Sequence, residues 1–129
     1  MRLTQTLRQV PLLALWHFLV FLAKKRRFKG FLIADVSGDQ SLFGAAFISD
    51  VMDALQRLTD TSDATVLNLN RSVKTIVRAD IENSVEYYSR TGLLLLRVDY
   101  SSSHSDSRQI IYDLLVQFTS LLKSRAKRA

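Results

Sequence analysis

The chain of 129 residues contains no cysteine, a single proline and only four glycines. Without cysteine there is neither a disulfide framework nor a thiolate metal site, and a reducing compartment is compatible with the composition. Scarce proline and glycine argue against a low-complexity or loop-dominated chain. No apolar run approaches the roughly 20 residues that cross a bilayer as a helix; the longest, Val10 to Ala23 (VPLLALWHFLVFLA), is interrupted by His17. The chain has just two histidines, and His17 has no second histidine or carboxylate near it in sequence, so a buried or partly buried polar residue is expected there and no metal site. The first 30 residues have no acid at all.

What is present defines one folded domain. Apolar residues make up 47% and charged residues 23%, a globular balance at a length that supports one hydrophobic core. The net charge of +6 is unevenly spread: residues 1 to 30 carry seven bases, residues 31 to 122 hold all twelve acids against seven bases, and residues 123 to 129 add four more bases. A nucleic-acid-binding domain more often spreads its cations over the folded face, so the acidic body argues against nucleic acid.

Three readings of the apolar run and the KKRR that follows it stay open. It is a helix packed on a sheet, a membrane anchor, or a signal-like segment, the last lacking the small-residue cleavage site expected after it. Lys24, Arg26 and Arg27, with Lys25 between them, form either a solvated connector or a membrane contact, because cations beside an apolar segment favour an anionic surface.

Along the rest of the chain, Phe28 to Val36 has strand composition and ends at the turn signal of Ser37, Gly38 and Asp39. From Ser41, the residues Phe47, Val51, Leu55 and Leu58 recur at helical spacing, with Ile48 and Met52 widening the stripe, so a helix is expected to end near Leu58. Thr59 to Ala64 has turn composition, and Val66 with Leu67 suggests a short strand or a loop anchor. Ser72–Asp80, Ser84–Arg90 and Leu93–Tyr100 are expected to form an antiparallel three-strand meander, the last strand lying inside the sheet because Leu93 to Leu96 is apolar on both faces. Asp106 and Gln109 have capping-box spacing, opening a helix whose stripe runs from Ile110 to Leu122 and whose basic tail suits a helix C-terminus.

The fold class that results is α/β, an antiparallel sheet flanked by helices in the order α-β-(β)-α-β-β-β-α, organised as an apolar helix with a basic cluster (1–27), an α/β domain (28–122) and a basic tail (123–129). The segments GFLIADVSGDQ (Gly30–Gln40), AAFISDVMDAL (Ala45–Leu55) and VKTIVRADIENSVEYYSRTGLLLLRVDYSSS (Val73–Ser103) resemble the first hairpin, central helix and meander of the roadblock superfamily, named from dynein light chains. LTQTLRQVP (Leu3–Pro11) is similar to the opening of a short Ragulator subunit.

The resemblance implies a roadblock/profilin-like α+β sandwich without catalytic residues. It would be a scaffold that forms a homo- or heterodimer with a roadblock-like partner and engages small GTPases, at the cytosolic face of late endosomes or lysosomes. Carried onto this sequence, its dimer interface falls on Phe47, Ile48, Val51, Met52 and Leu55 and on the strand positions Val73, Thr75 and Val77.

Little chemistry competes with this. Ser102, His104 and Asp106 have triad residue types, but such closeness in one loop does not supply triad geometry, and a turn with a helix cap is expected. Asp35, Asp39, Asp50 and Asp53 suggest magnesium only by type, since a turn and a solvated helix side account for them. DVSGD lacks the glycine pattern and lysine of a phosphate-binding loop. No enzyme, cofactor or metal is expected.

Overall fold

The computed structural model describes residues 13–100 and 106–128. Helix α1 spans residues 13–22 within that range. Strands β1 (Lys25–Phe28) and β2 (Phe31–Asp35) follow, then helices α2 (Gln40–Thr61) and α3 (Asp63–Ser72), strands β3 (Thr75–Arg78), β4 (Val85–Tyr88) and β5 (Leu93–Leu96), and helix α4 (Ser107–Arg128).

The segment expected to form one strand over Phe28–Val36 is a hairpin instead. Lys29 and Gly30 both have positive φ, 50° and 85°, which matches the twist of a two-residue turn between antiparallel strands. Lys25, Arg26 and Arg27 of the basic run, read as either a solvated connector or a membrane contact, therefore belong to strand β1, with Lys25 opposite Ala34 and Phe28 opposite Phe31. A boundary at residue 27 does not divide the chain, because β1 is paired into the sheet and α1 packs on it.

α2 runs beyond Leu58 to Thr61, where Ser62 adopts an extended conformation and its side chain accepts a hydrogen bond from Thr65 N at 3.4 Å. Ser62 thereby caps α3, and Val66 and Leu69 bury one side of that helix. The polar residues before Val66 mark a helix junction, and the segment read as a short strand or a loop anchor is helical.

The sheet order is β1-β2-β3-β5-β4. β2, β3 and β5 are parallel neighbours, and β1 and β4 lie antiparallel at the two edges. The α/β class with helices flanking a sheet is thus observed, while the wholly antiparallel sheet is not. The β4–β5 hairpin forms as expected, but β3 and β4 are not neighbours: β5 lies between them. Burial accounts for this arrangement. All four leucines of β5 are fully buried, so it needs a strand on each side and cover on both faces, whereas half-buried β4 suits an edge.

Each face of the sheet has its own core. Phe31, Ile33, Ile76, Leu94 and Leu96 pack under α2, α3 and α4; Ala34, Val77, Leu93 and Leu95 pack on the other side with Val20, Leu13, Trp16 and Ala23 of the α1 segment. The packed-helix reading therefore describes residues 13–22. Asp106 caps α4 as expected, its Oδ1 accepting from Gln109 N at 3.4 Å. The expected turn at Ser101–Ser105, the Leu3–Pro11 resemblance and residues 10–12 of the apolar run lie outside the described residues.

Candidate functional site

Two arrangements stand out, one polar and one apolar. The polar one lies where the parallel strands end. Arg78, at the end of β3, is buried and reaches Asp35 Oδ2 at the end of β2 (2.9 Å), both oxygens of Asp39 (2.7 and 3.1 Å) and the Val98 carbonyl (2.8 Å). Asp35 Oδ1 accepts from Ser37 N at 2.9 Å, and Asp80 accepts from Gly38 N at 2.8 Å.

The electrostatics follow from that geometry. The hydrogen bond from Arg78 holds the Asp39 carboxyl below its ordinary value. For Arg78 itself, burial disfavours the charge, but Asp39 and Asp35 outweigh burial and its pKa is raised. Because the Asp39 side chain is engaged by Arg78, it does not cap α2.

Beside this cluster Asp50 accepts from Tyr100 Oη (2.6 Å), Ser107 Oγ (2.9 Å) and Arg108 Nε (3.2 Å), tying α2 to the start of α4. Burial, and then the Asp50 carboxylate, push the Tyr100 hydroxyl well above its ordinary pKa. These carboxylates are occupied by donors from the chain itself, which makes the cluster a brace between elements. Among the described residues no group of three or more histidine or acidic side chains could hold a metal ion.

The apolar arrangement is the outer side of α1. Leu15, Phe18, Phe21 and Leu22 are 50%, 57%, 73% and 64% exposed, at the spacing that lines one side of a helix. α1 is therefore apolar all round, with one side on the sheet and the other open. At its C-terminal end the chain enters β1, where Lys24, Lys25, Arg26 and Arg27 are all exposed.

Lys25 Nζ donates to the carbonyls of Phe21 (2.8 Å), Val20 (3.4 Å) and Ala23 (3.4 Å), placing a cation at the negative end of the helix. Lys24, Arg26 and Arg27 have no carboxylate partner among the described residues. Residues directly opposite on paired strands share a face, so Lys25 and Arg27, opposite Ala34 and Leu32, lie on the α1 side, and Arg26, opposite Ile33, lies on the α2 side.

The dimer positions carried over from the resemblance are used inside the chain. Phe47, Val51, Leu55, Val73 and Val77 are fully buried, Val77 on the α1 side of the sheet, Thr75 is 9% exposed, and Ile48 and Met52 pack against the core that holds Phe47, Val51, Leu55 and Val73. β3 has a neighbour on each side, so its edges are not free to pair with another chain. Of the other singled-out residues, Asp53 is half-buried on α2, and His17 Nε2 is buried without a hydrogen-bond partner. Ser102 and His104 lie outside the described residues. A cleft of about 480 Å³ lies between Leu22, Ala23 and Lys24 at the end of α1 and Gln40, Ser41, Gly44, Ala45 and Ile48 of α2.

Sequence reasoning marked the basic run and missed Arg78, whose partners lie 39 and 43 residues away. No family model matches the chain, and no curated protein or solved structure is significantly similar to it.

Proposed function

We propose that this protein is a non-catalytic module that settles on anionic membrane surfaces through the open side of α1 and the cations of β1. The observation that supports this reading is the continuity of the two: four large apolar side chains stand exposed on a helix fixed to the sheet, next to the exposed cations Lys25 and Arg27 on the same side, Lys25 bonded to the helix end and Arg27 without a carboxylate partner among the described residues. No helix among the described residues is long and apolar enough to cross a membrane, and the 13–22 helix is about 15 Å long at ~1.5 Å per residue. The geometry suits a helix lying in the interface plane.

Each basic residue near an anionic leaflet contributes about 1 kcal/mol, and the exposed rings add apolar contact. Arg27 is on the helix side and contributes more than Arg26. A GTPase-binding scaffold, the function implied by the resemblance, would need a partner surface other than β3 and the buried side of α2.

The test is flotation with vesicles of phosphatidylcholine alone or with added phosphatidylserine. The intact chain should bind the anionic vesicles, binding should fall at high salt, and Phe18→Ser with Phe21→Ser should reduce it severalfold without lowering the melting temperature. Arg27→Ser should weaken binding more than Arg26→Ser. Absence of binding to anionic vesicles, or equal binding by the double serine variant, would overturn the reading.

A further inference from the structure

We infer that the cleft between the end of α1 and the first turns of α2 binds a small organic monoanion with an apolar body, of the kind a medium-chain carboxylate presents. The fold opens this cleft. α1 lies on one face of the sheet and α2 on the other, yet both meet the same end of it: α1 finishes where β1 begins, and α2 starts after β2 ends. Helices joined to neighbouring strands on opposite faces leave a crevice at that end, a common place for ligands in α/β sheets. At about 480 Å³, the crevice is within the roughly 300–1,000 Å³ of small-molecule sites.

Its walls are apolar, with Leu22 and Ala23 on one side and Ala45 and Ile48 on the other, where Gly44 adds no bulk. Three polar side chains line it without being engaged elsewhere: those of Lys24, Gln40 and Ser41 have no hydrogen bond or ion pair with a described residue. The free cation sets the sign of the ligand. Lys24 immediately precedes β1 and stands level with Asp35, since Lys25 is opposite Ala34. Asp35 lines the cleft as well, but its two oxygens accept from Arg78 and from Ser37 N.

No other group of the chain neutralises Lys24. Asp39 is held by Arg78, and the first turn of α2 contains no acid. The carbonyls at the end of α1 are taken by Lys25. An anion in the cleft is therefore the counter-ion that Lys24 lacks, with the Gln40 amide and the Ser41 hydroxyl as further donors. One ammonium balances one negative charge, and the Asp35 carboxylate in the wall disfavours a second. A carboxylate thus fits better than a phosphomonoester, which carries about −1.5 to −2. The inference does not rest on the membrane reading: Lys24 lies outside β1, and of the four exposed α1 side chains only Leu22 lines the cleft.

Octanoate is the probe, titrated into the isotope-labelled intact chain and followed by amide NMR, with acetate and octanol as its two halves. Octanoate should move the amides of Ser41, Gly44 and Ala45 saturably. Acetate lacks the apolar body and should give no saturation over the same range; octanol lacks the charge and should bind severalfold more weakly. Lys24→Ser should weaken octanoate binding severalfold and leave octanol binding unchanged. Ala45→Phe, at an exposed helix position, places a ring in the cleft and should abolish binding of both with an unchanged circular dichroism spectrum.

Equal affinity for octanoate and octanol, octanoate affinity unchanged in Lys24→Ser, or the largest shifts falling on Leu15 and Phe18 would overturn the inference. Saturable octanoate binding at the cleft in a protein that ignores anionic vesicles would support the site and remove the membrane reading alone. Vesicle binding without a saturable octanoate response would remove the site alone.

Discussion

Arg78→Met is expected to be the most damaging substitution outside the apolar core. The guanidinium is the charge partner of Asp35, whose side chain is 2% exposed, and it also supplies a donor to the Val98 carbonyl. Methionine fills part of the volume but leaves the Asp35 carboxylate with the Ser37 N–H and no cation. Removing one partner of a buried ion pair costs about 3–5 kcal/mol, a large share of the ~5–15 kcal/mol by which a domain is stable. At about 4 °C per kcal/mol for a chain of this size, the melting temperature should fall by roughly 12–20 °C.

The contact to Asp39 adds little to this figure, because that side chain is 35% exposed and solvent recovers the loss. Urea unfolding followed by circular dichroism measures the cost. Combining Arg78→Met with Asp35→Asn should recover at least ~1 kcal/mol, since the orphaned charge is gone. A single variant that loses less than about 1 kcal/mol, or a double variant no more stable than the single, would refute the view that a buried pair braces the ends of β2 and β3.

Two further outcomes follow from the same geometry and from the turns. The Asp39 carboxyl titrates lower in the folded protein than its ordinary value, so the stability it contributes is complete above the unfolded value near 3.9. That contribution is lost as the pH falls through the lower folded value; the acid limb of a stability-versus-pH curve should be shallower in Arg78→Met than in the natural chain. Gly92 has φ +68°, and a Cβ there would lie 3.0 Å from Lys74 N and 3.1 Å from Ser72 O. Gly92→Ala should therefore cost about 2–3 kcal/mol in urea unfolding, left-handed backbone strain accounting for ~1–2 kcal/mol and the backbone contacts for the rest.

Much of the layer structure is legible in the sequence because it rests on local periodicity. The stripe Phe47, Val51, Leu55 marks α2, Asp106 marks the start of α4, and the apolar Leu93–Leu96 requires an interior strand covered on both faces. Strand order is not local. Nothing in residues 79–84 states that the chain passes β5's position before returning to fill it, and only the contrast between half-buried β4 and fully buried β5 carries that information.

β1 was hidden by its own composition, since consecutive cations are typical of loops and are tolerated in a strand only at an exposed edge. The turn at Lys29–Gly30 was the available signal. For α3, Ser62 followed by apolar Val66 and Leu69 was the available signal, and the turn-rich polar residues around Ser62 obscured it. The candidate interface shows a different limit: spacing shows that Phe47, Val51 and Leu55 share a side of α2, but not whether that side meets the chain's own sheet or another protein.

The two sides of α1 bear on whether membrane docking and folding are coupled. One side of the sheet, with Ala34, Val77, Leu93 and Leu95, has α1 as its helical cover, through Val20 and its neighbours. Detaching α1 to enter a bilayer would expose those residues to water at roughly 25 cal/mol per Å² of apolar surface. Docking in place has no such cost, because Leu15, Phe18, Phe21 and Leu22 already point away from the sheet. It also avoids the ordering entropy that an unstructured amphipathic segment loses when it folds on a surface. Substitutions on the open side should therefore change vesicle binding and leave unfolding unchanged, whereas Val20→Ala should lower stability by about 1–3 kcal/mol through lost burial. Binding that fell in proportion to stability across both sets would indicate that α1 leaves the sheet when the protein docks.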